Sequence, residues 1–394
     1  MYIPEAVATL IFYHILYQKD FGGILMIGSN TRSNNKLISL PKDIGPHPFT
    51  DMEWWYYYAF LKGDQGGRYA VMAAFYQAGE LPVLKGHYLI FTIIDLNKFT
   101  SQSFSFLDKK LGKNLQFINL PVYLLQCPRD QNAWNLYRDL IVDKLPQPNQ
   151  WLCDANIFNH PTRLLYDNSA MFFKNCRDGQ FITTISGDGM EAHLKFKSKK
   201  PVSLIGGNGK PDKLYYYSFP LNDVKGYIEK NEKTECVTGE GWFDHQWGYT
   251  GDLLTKTGWN WFGLQLEDGR ELLINEFRTV KTGTISSPMA NLIEKDGKIK
   301  VTRNVTMEPL SYWQSPLTNA VYPLKWIIAI PEFKITLNVE AVFENQEMLV
   351  LAPLNAIWEG ACTVSGNEKR PFHKDTPIKG KGFLELVGYA NYKC

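Results

Sequence analysis

The chain has 394 residues, enough for two domains of ordinary size, and its 42 Lys and Arg nearly balance its 40 Asp and Glu. Lys195, Lys197, Lys199 and Lys200 form the densest basic group, so nucleic-acid binding has no electrostatic support. Six cysteines without a CxxC pair and seven histidines without ligand spacing indicate neither a zinc site nor a disulfide framework. No metal and no cofactor are therefore expected, and thiols read as reduced point to a cytoplasmic protein.

The segment Ala6 to Tyr17 is apolar, but it is far shorter than the roughly 20 residues that span a bilayer. Glu5 precedes it and no basic stretch or cleavage site frames it, which argues against a secretory signal. Two roles remain for this extension, residues 1–35: a short helix after Pro4 packed on the rest of the chain, or a greasy segment making peripheral membrane contact.

From about residue 36 the chain reads as strands and turns. Aromatic and β-branched runs recur at Met52 to Leu61, Arg68 to Tyr76, His87 to Asp95, Phe181 to Ile185, Glu191 to Lys197 and Leu214 to Phe219. Residues 125–175, rich in Pro, Asn and Asp, read as loops with isolated strands. After the charged stretch Lys225 to Thr234 a second series begins, with Trp259 to Leu266, Glu271 to Arg278, Ile293 to Val301, Leu324 to Ile330, Phe333 to Val342 and Gly380 to Tyr389. Asp268-Gly269 and Asp296-Gly297 mark tight hairpins within it. The pattern predicts an all-β chain of two antiparallel units, 36–230 and 231–394.

The chemistry-bearing residues cluster in a few runs. Trp242-Phe243-Asp244-His245-Gln246-Trp247 sets an acid, an imidazole and an amide between two indoles. In a poorly solvated wall such groups have shifted pKa values suited to acid–base work on an apolar substrate. Strand parity puts Trp242, Asp244 and Gln246 on one face and Phe243, His245 and Trp247 on the other, so Asp244 and His245 are not a simple dyad. In Glu53-Trp54-Trp55-Tyr56, Glu53 takes one face while Trp54 and Tyr56 take the opposite one. Glu276 and Arg278 share a face, either anchoring a polar substrate group or pairing on the surface, and Trp358-Glu359 is a further acid beside an indole. No P-loop, HExxH or nucleophile elbow is present.

These runs, together with Tyr215-Tyr216-Tyr217-Ser218, Trp261-Phe262-Gly263-Leu264-Gln265-Leu266 and Tyr322-Pro323 with Trp326, resemble the AttH-like and carotenoid 1,2-hydratase group of lipocalin-like proteins. The resemblance covers about residues 45–391 in the family's order. It implies two lipocalin-like β-barrel domains with a ligand cavity at or near their interface, and chemistry on a hydrophobic isoprenoid or polyene: hydration, dehydration or cation-driven cyclisation. Asp244 is then expected as proton donor and His245 as its partner or orienting base. Glu53, Trp54, Tyr56, Trp242, Gln246, Trp247, Trp261, Glu276, Arg278, Trp358 and Glu359 are expected around the substrate. Related fungal proteins catalyse cycloadditions, which keeps open a cyclase that works by folding its substrate, or a carrier without catalysis.

Overall fold

The strand Met52–Gly63 alternates Trp54, Tyr56 and Tyr58 with Trp55, Tyr57 and Ala59, so both of its faces are apolar and each needs cover. That requirement organises the molecule. The computed structural model describes residues 37–394 apart from 80–83, 176–178, 251–256, 280–281, 352–354, 371–373 and 391–394, so the expected N-terminal helix lies outside the described residues.

Met52–Gly63 pairs antiparallel with Arg68–Ala78 on one side and Lys233–Gly248 on the other. The sheet runs on through Gly86–Asp95 and Thr100–Asp108 in one direction, and through Tyr215–Lys230, Met190–Ser198 and Gln180–Gly187 in the other, to a total of 13 strands. It curls into a barrel whose interior is filled by Trp55, Tyr57, Phe75, Phe91, Phe173, Phe181 and Phe243, all fully buried. A second sheet of 10 strands repeats the plan. Its first strand, Thr257–Leu266, pairs with its last, Thr376–Val387, just as Met52–Gly63 pairs with Lys233–Gly248. Phe262, Tyr322, Trp326, Trp358 and Leu384 fill its concave side. The all-β, lipocalin-like expectation holds.

The outer faces of the two first–last strand seams lie against each other. Tyr56, Tyr58 and Trp242 from one sheet share a core with Trp261, Ala361 and Phe383 from the other. Tyr58 stacks on Phe383 with ring centroids 4.8 Å apart and donates its hydroxyl to the Gly263 carbonyl at 3.0 Å. Three helices, Lys109–Asn114, Leu120–Gln126 and Gln131–Ile141, add Leu111, Leu120, Leu124, Leu136 and Leu140 to this core.

Several expectations change in detail. Residues 125–175 read as loops with isolated strands, and short strands from Gln150 to Asn175 are present, but the helix Gln131–Ile141 also forms there because Asp130 caps its Asn132 and Ala133 amides and Ala133, Leu136 and Leu140 line one face. The charged stretch around residue 230 is the tip of a hairpin between Tyr215–Lys230 and Lys233–Gly248, turned at Asn231 and Glu232 with φ of 50° and 63°. The chain changes sheets between Gly248 and Thr257, so the Asp244 run closes the first sheet rather than opening the second. Cys127, expected as a free thiol, is disulfide-bonded. Among the described residues no helix is long and apolar enough to cross a membrane.

Close strand approach at the seam depends on glycine. A Cβ on Gly239 would lie 1.9 Å from the Phe60 carbonyl oxygen, a backbone atom that cannot rotate away. Gly239→Ala should therefore cost about 1–3 kcal/mol, typical of overpacking; an unchanged urea midpoint would contradict this packing.

Candidate active site at the seam of the two sheets

Strand parity delivers Asp244 to the seam. It sits directly across from Tyr56 on one neighbouring strand and Ser218 on the other, all three on the outer face of the barrel. Only 2% of Asp244 is exposed. Its Oδ2 accepts the Tyr216 hydroxyl at 2.5 Å, and its Oδ1 accepts the Ser218 hydroxyl at 2.5 Å and the Trp242 indole N–H at 2.6 Å. Trp261 of the second sheet donates its indole N–H to the Tyr216 oxygen at 3.0 Å, extending the network across the seam.

The second sheet contributes two more acids. Glu359 and Glu385 face each other across neighbouring strands, and Trp261 stands on the other side of Glu385. Glu359 is buried and accepts the Tyr56 hydroxyl at 2.8 Å. Glu385 is held by the Trp259 indole N–H and keeps part of its surface accessible, as do Trp54, Tyr76, Gln246 and Trp259 around the same seam.

Removal of water dominates the electrostatics here. Burial pushes Asp244 up to about 7 against the pull of its three donors. Glu385 also rises to about 7, first through burial and then through the charge of Asp244. Glu359 stands well above the ordinary carboxylate range, because it is buried and Glu385 lies beside it. Acids so placed hold protons near neutrality and can exchange them with a bound molecule.

The expected site residues separate into three places. Trp54, Tyr56, Trp242, Asp244, Gln246, Trp261 and Glu359 meet at the seam. Glu53, His245 and Trp247 point the other way, into one end of the first barrel, where His245 Nε2 lies 2.9 Å from Glu53 Oε1. His245 is thus no partner for Asp244, as parity required. Glu276 and Arg278 occupy the opposite face of the second sheet from Trp261. There Glu276 accepts from the Asn260 amide at 2.7 Å and the Arg278 guanidinium lies 3.7 Å from the Tyr389 ring centre. Trp358 belongs to the second sheet's own core and donates to the Glu344 carbonyl at 2.7 Å. None of these three reaches the seam, because each is one residue out of phase with it.

Glu385, Tyr216, Ser218, Tyr76 and Trp259 were not among the expected site residues. For Glu385 a signal exists: it is the one charge inside Phe383-Leu384-Glu385-Leu386-Val387, a run otherwise apolar on both faces.

The raised acids link stability to pH. A carboxyl whose folded pKa exceeds its unfolded one binds more protons when folded, so stability is fullest below the unfolded value and falls as pH rises toward the folded one. For Asp244 that window runs from its ordinary 3.8 to about 7. Asp244→Asn should flatten the fall of Tm between about pH 4 and 7 without removing it, since Glu385 and Glu271 share the same direction. An unchanged slope would mean that Asp244 titrates normally.

A match to the AttH-like family runs over residues 150–389. The chain is 32% identical over 159 residues to the dehydratase asqC of Emericella nidulans, a match covering 37% of this chain and 41% of that protein. It thus spans less than half the length of this relative. The fold is similar to that of a solved AttH protein of Nitrosomonas europaea, with TM-score 0.68 and 21% identity over 91% of this chain and 98% of that one. It is also similar to kievitone hydratase of Nectria haematococca, with TM-score 0.63 and 16% identity over 89% and 92% of the two chains. With more than half of its length matched, the chain belongs to the AttH-like family.

Proposed function

We propose that this protein is a lyase that removes water from, or adds it to, a hydrophobic substrate bound at the seam, without a redox cofactor. The observation that carries the reading is three carboxyls between two aromatic sheet faces, all biased toward the protonated form, of which Glu385 alone keeps accessible surface. Two relatives support the direction of the chemistry. One is named a dehydratase and the other a hydratase, and these are the two directions of one reaction.

In dehydration the protonated Glu385 carboxyl gives its proton to a substrate hydroxyl. The C–O bond breaks, its electron pair leaves with the oxygen as water, and a carbocation remains beside the faces of Trp54, Tyr76 and Trp259. The Glu385 carboxylate then takes a proton from the neighbouring carbon, which closes the double bond and restores the acid. Hydration runs the same steps in reverse. The substrates that suit this site are isoprenoid or other polyene-like molecules with a tertiary or allylic alcohol, or the matching alkene, because their cations are the most stable. Asp244 positions the Tyr216 hydroxyl and, through its charge, sets how readily Glu385 keeps its proton. This gives Asp244 a supporting role in place of the proton-donor role expected from the sequence.

The test is incubation of the full chain with lipophilic extracts of its source, followed by mass spectrometry. A product differing from its precursor by one water is expected, and Glu385→Gln should lower its formation by roughly 10²–10⁴-fold. Asp244→Asn should shift the pH profile as well as reduce the rate. Recovery of unchanged ligand would favour a carrier. A product of the same mass whose formation survives Glu385→Gln would favour cyclisation by substrate folding.

A further inference from the structure

At the end of the first barrel, away from the seam, two histidines share one carboxylate oxygen. His47 Nδ1 lies 2.7 Å from Glu53 Oε1, and His245 Nε2 lies 2.9 Å from the same atom. Glu53 and His245 are fully buried, whereas His47 is half-buried. The remaining atoms of the cluster are also engaged. His245 Nδ1 faces the Asp43 carbonyl at 3.1 Å and the Tyr217 hydroxyl at 3.2 Å, and His47 Nε2 faces Asp43 Oδ1 at 3.4 Å. Glu53 Oε2 accepts the His47 backbone N–H at 2.8 Å.

Counting hydrogens shows what these contacts require. The Asp43 carbonyl only accepts, so that contact is satisfied only if His245 Nδ1 carries a hydrogen; without one, Nδ1 can accept only from the Tyr217 hydroxyl. Its Nε2 then needs a second hydrogen to bond an ionised Glu53. His47 faces the same demand, with a carboxylate oxygen at each ring nitrogen. Protons alone satisfy every contact only if both rings are imidazolium cations, one of them in a fully dry setting, which is costly. Neutral rings bonded to Glu53 instead turn the His47 Nε2 and His245 Nδ1 lone pairs toward Asp43 oxygens, with only the Tyr217 hydroxyl placed to donate to the latter.

A divalent cation removes the conflict. His245 then donates Nδ1–H to the Asp43 carbonyl and gives its Nε2 lone pair to the metal. His47 donates Nε2–H to Asp43 Oδ1 and gives its Nδ1 lone pair, while Glu53 supplies Oε1. Each ligand thereby has the outer hydrogen bond that metal-bound histidine characteristically makes to a carbonyl or carboxylate. We propose that His47, Glu53 and His245 form a binding site for a borderline divalent transition-metal ion such as zinc, with the Gln77 side-chain carbonyl as a further oxygen on the same face.

The three ligand atoms lie within 4.8 Å of one another. Zinc bonds of about 2.0–2.2 Å place tetrahedral donors roughly 3.4 Å apart, so the two short separations open by about half an ångström and the third closes. Gln77 sits directly across from Glu53 in the strand register, and its Oε1 is buried without a hydrogen-bond partner. The nearby Lys85 ammonium is directed to the His47 carbonyl at 3.0 Å. Linear spacing hides such a site, because His47 precedes the first long strand and His245 lies near the end of the strand that closes the barrel. Bound metal would fasten the segment around Asp43 to His47 onto both seam strands of the first sheet.

The experiment uses the full chain, treated with a chelator, desalted and titrated with zinc chloride by calorimetry, with elemental analysis of the reloaded protein. One zinc per chain and a raised Tm are expected. His47→Ala, at the half-buried ligand, should weaken uptake at least tenfold, while His193→Ala, whose ring pairs with Thr184 elsewhere in the barrel, should leave it unchanged. No stoichiometric uptake, or uptake equal in the His47→Ala protein, would overturn the site and leave a protonated His–Glu–His cluster in its place. Neither result depends on turnover, so the seam reaction stands or falls separately.

Discussion

The architecture rests on the contact between two sheet seams. Each sheet joins its first strand to its last, and the outer faces of those strands carry large aromatic side chains that water would solvate poorly. Stacking the seams buries both faces at once. It also buries every polar group that the strands bring along, and the phenol and indole groups answer that need: Tyr56 donates to Glu359, Tyr58 to the Gly263 carbonyl, and Trp261 to Tyr216. Aromatic residues suit this position because one end packs while the other bonds.

The same packing sets the protonation of the acids. Three carboxyls brought between dry faces cannot all ionise, since each pays a desolvation cost and each raises the next. Asp244, with three donors, bears a negative charge more easily than Glu359, which has one. Glu385, bonded to the Trp259 indole and standing opposite Glu359 in the strand register, alone among the three keeps an accessible edge. Stability and proton retention therefore oppose each other at the seam: acids that hold protons near neutrality would fold more stably in another setting.

Sequence reasoning reached much of this because parity is a strict rule. The alternation of Trp242, Asp244 and Gln246 against Phe243, His245 and Trp247 told correctly which residues share a face, and the structure sends Asp244 to the seam and His245 into the barrel. What alternation alone could not tell is which face meets which core. Glu276, Arg278 and Trp358 looked suitable by type, yet each stands on the wrong side of a strand whose neighbour, Asn275, Phe277 or Glu359, has the opposite orientation. The hairpin near residue 230 escaped for a related reason. Near the tip its strands are charged and partly exposed, so there they lack the apolar run that marks a strand, although they pair with each other across a two-residue turn. His47 lies only six residues from Glu53, but His245 reaches the same carboxylate from 192 residues away through the pairing of distant strands, which local spacing does not reveal.

The filled barrels leave no room for a ligand in their interiors, which is why the proposed reaction is placed at the seam. Trp55, Tyr57, Phe75, Phe91, Phe173, Phe181 and Phe243 occupy the first interior with no exposed surface, and Tyr322, Trp326 and Trp358 crowd the second. A ligand there would have to displace close-packed rings. At the seam, by contrast, Trp54, Tyr76, Trp259 and Glu385 keep accessible surface among buried neighbours. Asp244 comes from the first sheet, and Glu359 and Glu385 come from the second, so neither sheet holds the acid cluster alone. The acid cluster forms only when both sheets are in register, which ties the integrity of the proposed site to the packing that stabilises the fold.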